Sequence, residues 1–207
     1  MPQLKIGVLV SGSGTNLQAI IDNINSGNIN GKIDIVISNK KDAYGLERAK
    51  INNIDTLYVN EKDYDSIEAF NDRIIKELTS RNIELVVLAG YLKILSPRFI
   101  ETYKNRIINI HPSLIPSFCG KGFYGLKVHE EAIKYGVKVS GATVHFVDEN
   151  SDTGPIILQD VVLVEANDTP ESLQKKILEI EHRILPQAVK LFCDNKIHII
   201  DRKVIIK

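Results

Sequence analysis

Cysteine is scarce in this chain, and its placement is not that of a metal site. Cys119 and Cys193 lie far apart and match no metal-ligand spacing. A disulfide between them stays open on sequence grounds, but two cysteines favour a reduced, cytoplasmic chain. Histidine, cysteine and aspartate nowhere cluster with ligand spacing, so we expect no metal.

Long apolar runs and an excess of one charge are also missing. No run approaches the ~20 apolar residues that a membrane-spanning helix needs. The short run at 6–10 leads directly into a glycine-rich loop, which is unlike a signal peptide. Lysine plus arginine and aspartate plus glutamate both number 26, so the near-zero net charge argues against a general nucleic-acid surface. A local anion site stays compatible with this balance.

The composition that is present is that of a globular protein. The chain has 207 residues, 43% apolar and 25% charged, enough for a sizeable core. In the first half, short apolar β-type segments alternate with amphipathic helices, beginning with a strand at 4–10 and a helix at 17–25. This alternation predicts an α/β fold with a mostly parallel, twisted sheet and helices on both faces.

The second half departs from the alternation. Two β segments, 140–147 and 156–165, are joined by an acidic turn and are expected to pair antiparallel or to pack at a sheet edge. The longest helix is predicted at 169–192, opened by a threonine cap and a proline. Pro186 inside it is expected to kink the helix or to divide it in two. A small hairpin is predicted at 197–206.

The turn at 11–16 joins the first strand to the first helix. Its backbone N–H groups and the helix N-terminus would face an anion, and Gly12 and Gly14 permit close approach. No Gly-Lys-Ser/Thr follows, so this is no P-loop, and no acidic residue ends the second strand, where Ser38-Asn39-Lys40 stands. A phosphate monoester is therefore a better candidate than a dinucleotide, with a plain tight turn as the alternative.

Asn109 and His111 carry the strongest chemical signal. They are two apart on a predicted strand, so both side chains leave the same face. A fixed amide and an imidazole, followed by Pro112 and Pro116 that stiffen the exit loop, suit the polarisation of a carbonyl and point to acyl-type transfer. A carboxylate from the turn at 148–153 would raise the pKa of His111 and orient its ring. A satisfied loop histidine and a solvated turn are the alternatives.

Three other histidines and one apolar segment are further candidates. His145 lies on a β segment and is interpreted as structural or as supporting the site. His129 and His198 are interpreted as surface residues. The segment at 89–95 follows a buried strand, where it could hold a flat heterocycle or simply pack between strand and helix.

Several motifs together carry a family resemblance. They are Ser11-Gly12-Ser13-Gly14-Thr15-Asn16, Ser38-Asn39-Lys40, Ala89-Gly90-Tyr91-Leu92-Lys93-Ile94-Leu95-Ser96-Pro97, Asn109-Ile110-His111-Pro112-Ser113-Leu114-Ile115-Pro116, His145-Phe146-Val147 and Asp152-Thr153-Gly154-Pro155. In this order, from Ile6 to about Phe192, the chain resembles the phosphoribosylglycinamide formyltransferases, folate-dependent enzymes of purine synthesis with a Rossmann-like fold. The resemblance implies direct formyl transfer from 10-formyltetrahydrofolate to the amino group of 5′-phosphoribosylglycinamide, through a tetrahedral intermediate.

The resemblance also implies residue roles. The catalytic trio would be Asn109, His111 and Asp152, with protonated His111 held cationic by Asp152. The ribonucleotide would bind to Gly14, Thr15 and Asn16 through its phosphate and to Glu181 through its ribose or glycinamide part. The folate would contact Leu92, Lys93, Ile94, Leu95, Asn109, Val147, Asp148 and Asp152. His145 and Ser113 would lie next to the catalytic groups and help to hold them in position.

Two departures concern the folate's acidic tail. Ile67 stands where some members carry an arginine, and Lys93 stands where arginine is common. The loop at 119–126 is longer than in some members and is expected to act as a lid.

We expect a single domain, 1–207, because no repeat or linker is visible. It would comprise a ribonucleotide-binding half (1–105), a catalytic and folate-binding half (106–192) and a hairpin tail (193–207). Its expected partners are small molecules, and it would be a monomer or homodimer.

Three other functions compete with this one. A formyltetrahydrofolate hydrolase would share the trio but carry an extra N-terminal domain. A methionyl-tRNA formyltransferase would carry a C-terminal RNA-binding domain. We expect neither addition. A non-catalytic nucleotide-binding module would leave the trio without a purpose.

Overall fold

The computed structural model describes residues 3–207 as an α/β chain, as predicted. The chain divides into two compact units, the first ending at Ile108 and the second beginning at Asn109. Within residues 3–207, no helix is both long and apolar enough to cross a membrane. Cys119 and Cys193 are not joined by a disulfide.

The first unit alternates strands and helices. Its elements are β1 (Leu4–Val10), α1 (Thr15–Asn25), β2 (Gly31–Ser38), α2 (Tyr44–Ile51), β3 (Asp55–Tyr58), α3 (Ile67–Ser80), β4 (Leu85–Leu88) and α4 (Pro97–Thr102). The strand order is β3-β2-β1-β4, and every pair in it is parallel. The predicted parallel sheet is therefore confirmed in this unit.

Burial explains why these strands are apolar over nearly their whole length. All four residues of β4 are buried, as are the last five of β1, which is the pattern of strands covered on both faces. Helix α3 is capped by the Ser66 side chain and buries Phe70, Ile74 and Leu78. An added Cβ on Gly7 of β1 would lie 2.6 Å from Leu78, so glycine lets this helix approach closely.

The second unit contains most of the antiparallel pairing. Strand β5 (Ile107–His111) crosses the boundary between the units. It is followed by α5 (Leu126–Tyr135), β6 (Val139–Phe146), β7 (Ile156–Leu163), α6 (Pro170–Cys193), β8 (Ile197–Ile200) and β9 (Lys203–Ile206). The order is β5-β6-β7-β9-β8, with β6–β7 and β8–β9 antiparallel. The predicted antiparallel pair and tail hairpin are confirmed.

Helix α6 begins as predicted but is not divided. Thr169 and Ser172 form a reciprocal capping box ahead of Pro170. The helix then runs without a break through Pro186, so it is not divided in two, and the alternative of a kink stays a prediction. A proline removes one hydrogen bond. Here it lies on the buried face that α6 packs against β6 and β7, and this burial offsets the loss.

Helix α4 was absent from the sequence-based prediction. Ser96 caps it by accepting the N–H of Phe99, and Pro97 occupies its first turn. This Ser-Pro start is a common helix signal. The helix is only six residues long, too short to show a hydrophobic period.

Candidate active site

The glycine-rich loop of the first unit joins β1 to α1, as predicted. Gly14 has φ 69, and an added Cβ would lie 2.5 Å from the Cα of Gly45, so glycine is required on two grounds. Helix α1 begins at Thr15 with no side-chain cap and no acidic residue in its first turn. The positive end of its dipole is therefore not neutralised by its own residues, which favours an anion there.

Ser11 connects this loop to the segment after β4. Its Oγ donates to Asn39 Oδ1 at 2.6 Å and accepts the N–H of Leu92 at 2.9 Å. Its own N–H donates to the carbonyl of Gly90 at 3.1 Å. One hydroxyl thus joins three segments that the sequence singled out as separate motifs.

Arg48 of α2 supports the loop from outside, a role that sequence reasoning missed. Its Nε donates to the carbonyl of Ser13 at 2.8 Å, and its guanidinium lies over the ring of Tyr44. The N–H of Gly45 donates to the carbonyl of Gly12 at 3.0 Å. The segment Gly45-Leu46-Glu47-Arg48-Ala49 is part of the family resemblance, but it assigned Arg48 no role, because the partner is a backbone atom 35 residues away.

The segment after β4 exposes apolar side chains. Leu92 and Ile94 are 51% and 67% exposed, whereas Leu95 is buried. Lys93 forms an ion pair with Glu61. Ile67, at the start of α3, is also exposed and brings no charge. Two exposed aliphatic side chains are suited to packing against a flat heterocycle.

In the second unit, β5 brings Asn109 and His111 to a common cluster with Asp152. His111 is 4% exposed, and its Nδ1 lies 3.6 Å from Asp152 Oδ2. His145 Nε2 lies 3.1 Å from Asn109 Nδ2 and 3.6 Å from Asp152 Oδ1. The three residues of the expected trio, with His145 as a fourth member, are therefore together.

Backbone groups of the loop at 117–125 hold the two ionisable members of the trio. His111 Nε2 lies 2.9 Å from the carbonyl oxygen of Phe118. The N–H of Gly120 donates to Asp152 Oδ2 at 2.9 Å. Sequence reasoning missed both groups because a main-chain partner leaves no residue-type signal. The expectation that this loop is a lid stays a prediction.

The turn that carries Asp152 is tightly constrained. Asp152 itself has φ 58, a left-handed conformation that is uncommon outside glycine and is frequent at functional sites. Thr153 Oγ1 donates to Asp148 Oδ1, and Arg202 of the tail hairpin donates to the Thr153 carbonyl at 2.7 Å. A Cβ on Gly154 would lie 1.8 Å from the Phe146 carbonyl oxygen. The carboxylate is thus presented by a backbone with little freedom.

The pKa of His111 is shifted in the direction opposite to the expectation. Burial lowers the pKa of His111, and Asp152 and the Phe118 carbonyl only partly offset it, so the net shift is downward. The net shift is thus opposite to the expected rise, although Asp152 itself acts to raise the pKa of His111 as expected. Burial raises the pKa of Asp152, but polar neighbours outweigh it, the Gly120 N–H among them, so that pKa is lowered.

His129 is buried, which corrects its interpretation as a surface residue. It is 2% exposed and lies on the buried face of α5 with Val128 and Ala132. Burial lowers the pKa of His129 to about 4, with His111 contributing. Its spacing relative to Ala132 placed it on the apolar face, and this signal was overlooked because the residue is polar. His198 is exposed, as predicted.

A hydrogen-bonded network fixes the chain that leaves His111. Ser113 Oγ donates to the Ser117 carbonyl at 2.6 Å, and Thr143 Oγ1 donates to the Ser113 carbonyl at 2.7 Å. Gln159 donates to Thr143 and to the Ile115 carbonyl. Ser113 is therefore part of the network that follows His111, and its supporting role toward the trio stays a prediction. Sequence reasoning gave Thr143 and Gln159 no role.

The remaining predicted residues lie on these elements. Thr15 and Asn16 form the first turn of α1, and Asn16 is buried. Glu181 lies on the buried face of α6 and is 8% exposed. Val147 and Asp148 directly follow β6 and are half-buried. In the described part of the chain, no group of three or more His, Cys, Asp or Glu side chains is arranged to hold a metal.

Cys119 is not set up as a nucleophile. Its thiol donates to the carbonyl of Pro116, and burial, with the charge of Asp152, raises its pKa. A reactive thiol needs a lowered pKa. The chemistry of the cluster therefore rests on the amide, the imidazoles and the carboxylate.

The sequence profile of the family described as formyl transferase matches residues 4–189. The chain belongs to the formyl transferase family. Phosphoribosylglycinamide formyltransferase of Haemophilus influenzae is 43% identical over 197 residues, covering 95% of this chain and 91% of that protein. The crystal structure of glycinamide ribonucleotide transformylase 1 from Symbiobacterium toebii matches with a TM-score of 0.94 at 46% identity, covering 99% of this chain and 94% of that one.

Family members also occur within longer proteins. The trifunctional purine biosynthetic protein adenosine-3 of Chironomus tentans is 42% identical over 98% of this chain, which spans only 14% of that protein's length. The family resemblance read from the motifs is confirmed.

Proposed function

We propose that this chain is an enzyme that transfers the formyl group of 10-formyltetrahydrofolate to the amino group of 5′-phosphoribosylglycinamide. The products are formylglycinamide ribonucleotide and tetrahydrofolate, in the synthesis of purines. The observation that carries the proposal is the cluster of Asn109, His111 and Asp152 in a member of the formyl transferase family. This combination suits attack on a carbonyl without a covalent enzyme intermediate.

The geometry supports a specific order of proton movements. The substrate amine attacks the formyl carbon, and negative charge develops on the formyl oxygen, where the Asn109 amide donates. The attacking nitrogen then loses a proton to His111, whose pKa is lowered by burial. Nδ1 receives this proton, because Nε2 is engaged with Phe118, and Asp152 stabilises the resulting cation. The proton passes to the departing folate nitrogen as the C–N bond breaks.

Two further groups of residues are assigned to substrate binding, one to the ribonucleotide and one to the folate. Gly14, Thr15 and Asn16 would bind the phosphate at the N-terminus of α1, and Glu181 would contact the ribose or glycinamide part. The pterin would contact residues 92–95, Val147 and Asp148, with Asn109 and Asp152 at its reacting end. Lys93 and Ile67 would make weaker tail contacts than two arginines. We further propose small-molecule partners only, a cytoplasmic location, and a monomer or homodimer.

The test is formyl transfer from 10-formyltetrahydrofolate, followed by folate absorbance with and without the ribonucleotide. Turnover that requires the ribonucleotide is the expected result. Folate release without it would assign a hydrolase instead. Folate binding with no turnover would leave a non-catalytic binding protein and remove the mechanism.

A further inference from the structure

Two buried histidines of the second unit contact backbone carbonyl oxygens through opposite ring nitrogens. His145 Nδ1 lies 2.8 Å from the carbonyl oxygen of Phe146, and His111 Nε2 lies 2.9 Å from that of Phe118. A carbonyl oxygen only accepts hydrogen bonds, so the nitrogen facing it carries the hydrogen. In their neutral forms, the two rings are therefore held in opposite tautomers, with the hydrogen on Nδ1 in His145 and on Nε2 in His111.

The tautomer of His145 determines what its second nitrogen can bind. With the hydrogen on Nδ1, Nε2 presents a lone pair 3.1 Å from Asn109 Nδ2. An amide nitrogen only donates, so this contact requires that Asn109 turns its NH2 group toward the ring. Asp152 Oδ1 is 3.6 Å from the same nitrogen, too long for a hydrogen bond. The amide is therefore the partner of Nε2.

This contact fixes the direction of the amide. His145 uses one of the two amide hydrogens, and the other leaves the same nitrogen within the plane of the amide group. The ring is 1% exposed and is anchored by the adjacent carbonyl, whereas Asn109 is only partly buried. A donor oriented before the substrate arrives stabilises an oxyanion without reorganising during the reaction.

We propose that His145 is a positioning residue whose Nδ1–H tautomer, held by the Phe146 carbonyl, orients the Asn109 amide toward the formyl oxygen. The inference rests on the proposed formyl transfer. It separates the two histidines by role: His111 moves a proton through Nδ1, and His145 serves as a fixed acceptor. Substituting His145 should therefore affect the chemical step and leave substrate binding nearly unchanged.

The first test is a measurement of the tautomers in the unmodified protein without substrate. Nitrogen-15 NMR of labelled histidine distinguishes a protonated ring nitrogen from a bare one, and the variants His145→Gln and His111→Asn assign the signals. We expect Nδ1–H for His145 and Nε2–H for His111. A hydrogen on Nε2 of His145 overturns the proposal, whether or not the protein transfers formyl groups.

The second test compares His145→Leu, which has no acceptor, with His145→Gln, whose side-chain oxygen can accept the Asn109 N–H. We expect kcat to fall about tenfold or more in the leucine variant, with KM for both substrates within about twofold. The glutamine variant should recover part of the loss. His198→Leu, on the exposed tail, is the matched control.

A purely structural role predicts a different pattern. His145→Leu would then lower Tm while the folded fraction kept its kcat, and that result overturns the proposal. Absence of transfer by the unmodified protein would instead refute the proposed function, and the tautomer measurement would still stand.

Discussion

At the level of single residues, opposing forces act on the imidazole of His111. Burial favours the neutral ring, and the Asp152 carboxylate 3.6 Å away favours the charged one. The net effect of these two forces is a lowered pKa for His111, which favours the neutral ring that a proton acceptor needs. Once the ring has taken up a proton, the Asp152 carboxylate beside it stabilises the charge. Perturbed pKa values of this kind cluster at functional sites.

Replacing His111 tests this role directly. His111→Ala should lower kcat by about 10²–10⁴-fold, because one proton-transfer group is lost. Tm should change little in comparison, and folate binding measured by fluorescence should persist. A variant with near-normal turnover would show that the proton moves by another route. His198→Ala, exposed on the tail hairpin, is the matched control.

At the level of elements, the conformation of a loop or of a helix end depends on one or two residues. The turn before α1 needs a left-handed residue at Gly14, close against Gly45. The start of α6 needs the Thr169 cap. Each feature can be tested with a substitution that leaves the rest of its element unchanged.

The phosphate loop should not tolerate a side chain at one position. Gly14→Ala combines a positive φ with a Cβ 2.5 Å from Gly45 Cα, so the loop must shift. We expect a lower Tm and a raised KM for the ribonucleotide, with KM for the folate largely unchanged. A Cβ on Gly12 meets nothing within 4 Å, so Gly12→Ala should keep its Tm. Equal Tm values for the two variants would contradict this account.

The cap of α6 is worth a measurable share of stability. Thr169→Ala removes the acceptor for the Ser172 N–H and should cost about 1 kcal/mol, lowering Tm by roughly 2–4 °C. Thr169→Ser keeps the hydroxyl and should retain most of this stability. Thermal unfolding followed by circular dichroism decides the point, and an unchanged Tm for the alanine variant would count against the cap.

At the level of the whole molecule, buried histidines make the stability depend on pH. His129 has a folded pKa of about 4, against 6.5 when exposed. The unfolded chain therefore binds more protons below about pH 6.5, and stability falls as the pH drops from there toward about 4. His111 acts in the same direction, since its pKa is also lowered.

The size of this effect can be measured by urea unfolding at several pH values. The shift of His129 corresponds to a loss of at most roughly 3 kcal/mol once the pH has fallen below its folded pKa. His129→Gln cannot titrate, so its free energy of unfolding should decline less between about pH 7 and about pH 5. His198→Gln should keep the original pH dependence. Identical slopes for all three proteins would show that His129 does not titrate on unfolding.

The sequence was a good guide wherever local pattern decides structure. Strand β1 and the helices α1 and α6 were found within a few residues, because apolar patterns and capping residues mark them. The pairing of Asn109 with His111 followed from a spacing of two on a strand. His129 was misjudged because tertiary burial overrides the residue's own preference. Pro186 is also buried, and the helix is not divided there.

The order of residues along the chain was sufficient for the α/β class, the family and the candidate trio of Asn109, His111 and Asp152. These follow from periodicity and from motifs, which are properties of neighbouring residues. Only the fold shows the pKa shift of His111, the burial of His129 and the tautomer of His145. Each depends on desolvation or on a backbone oxygen placed by packing, and neither can be read from the residue type.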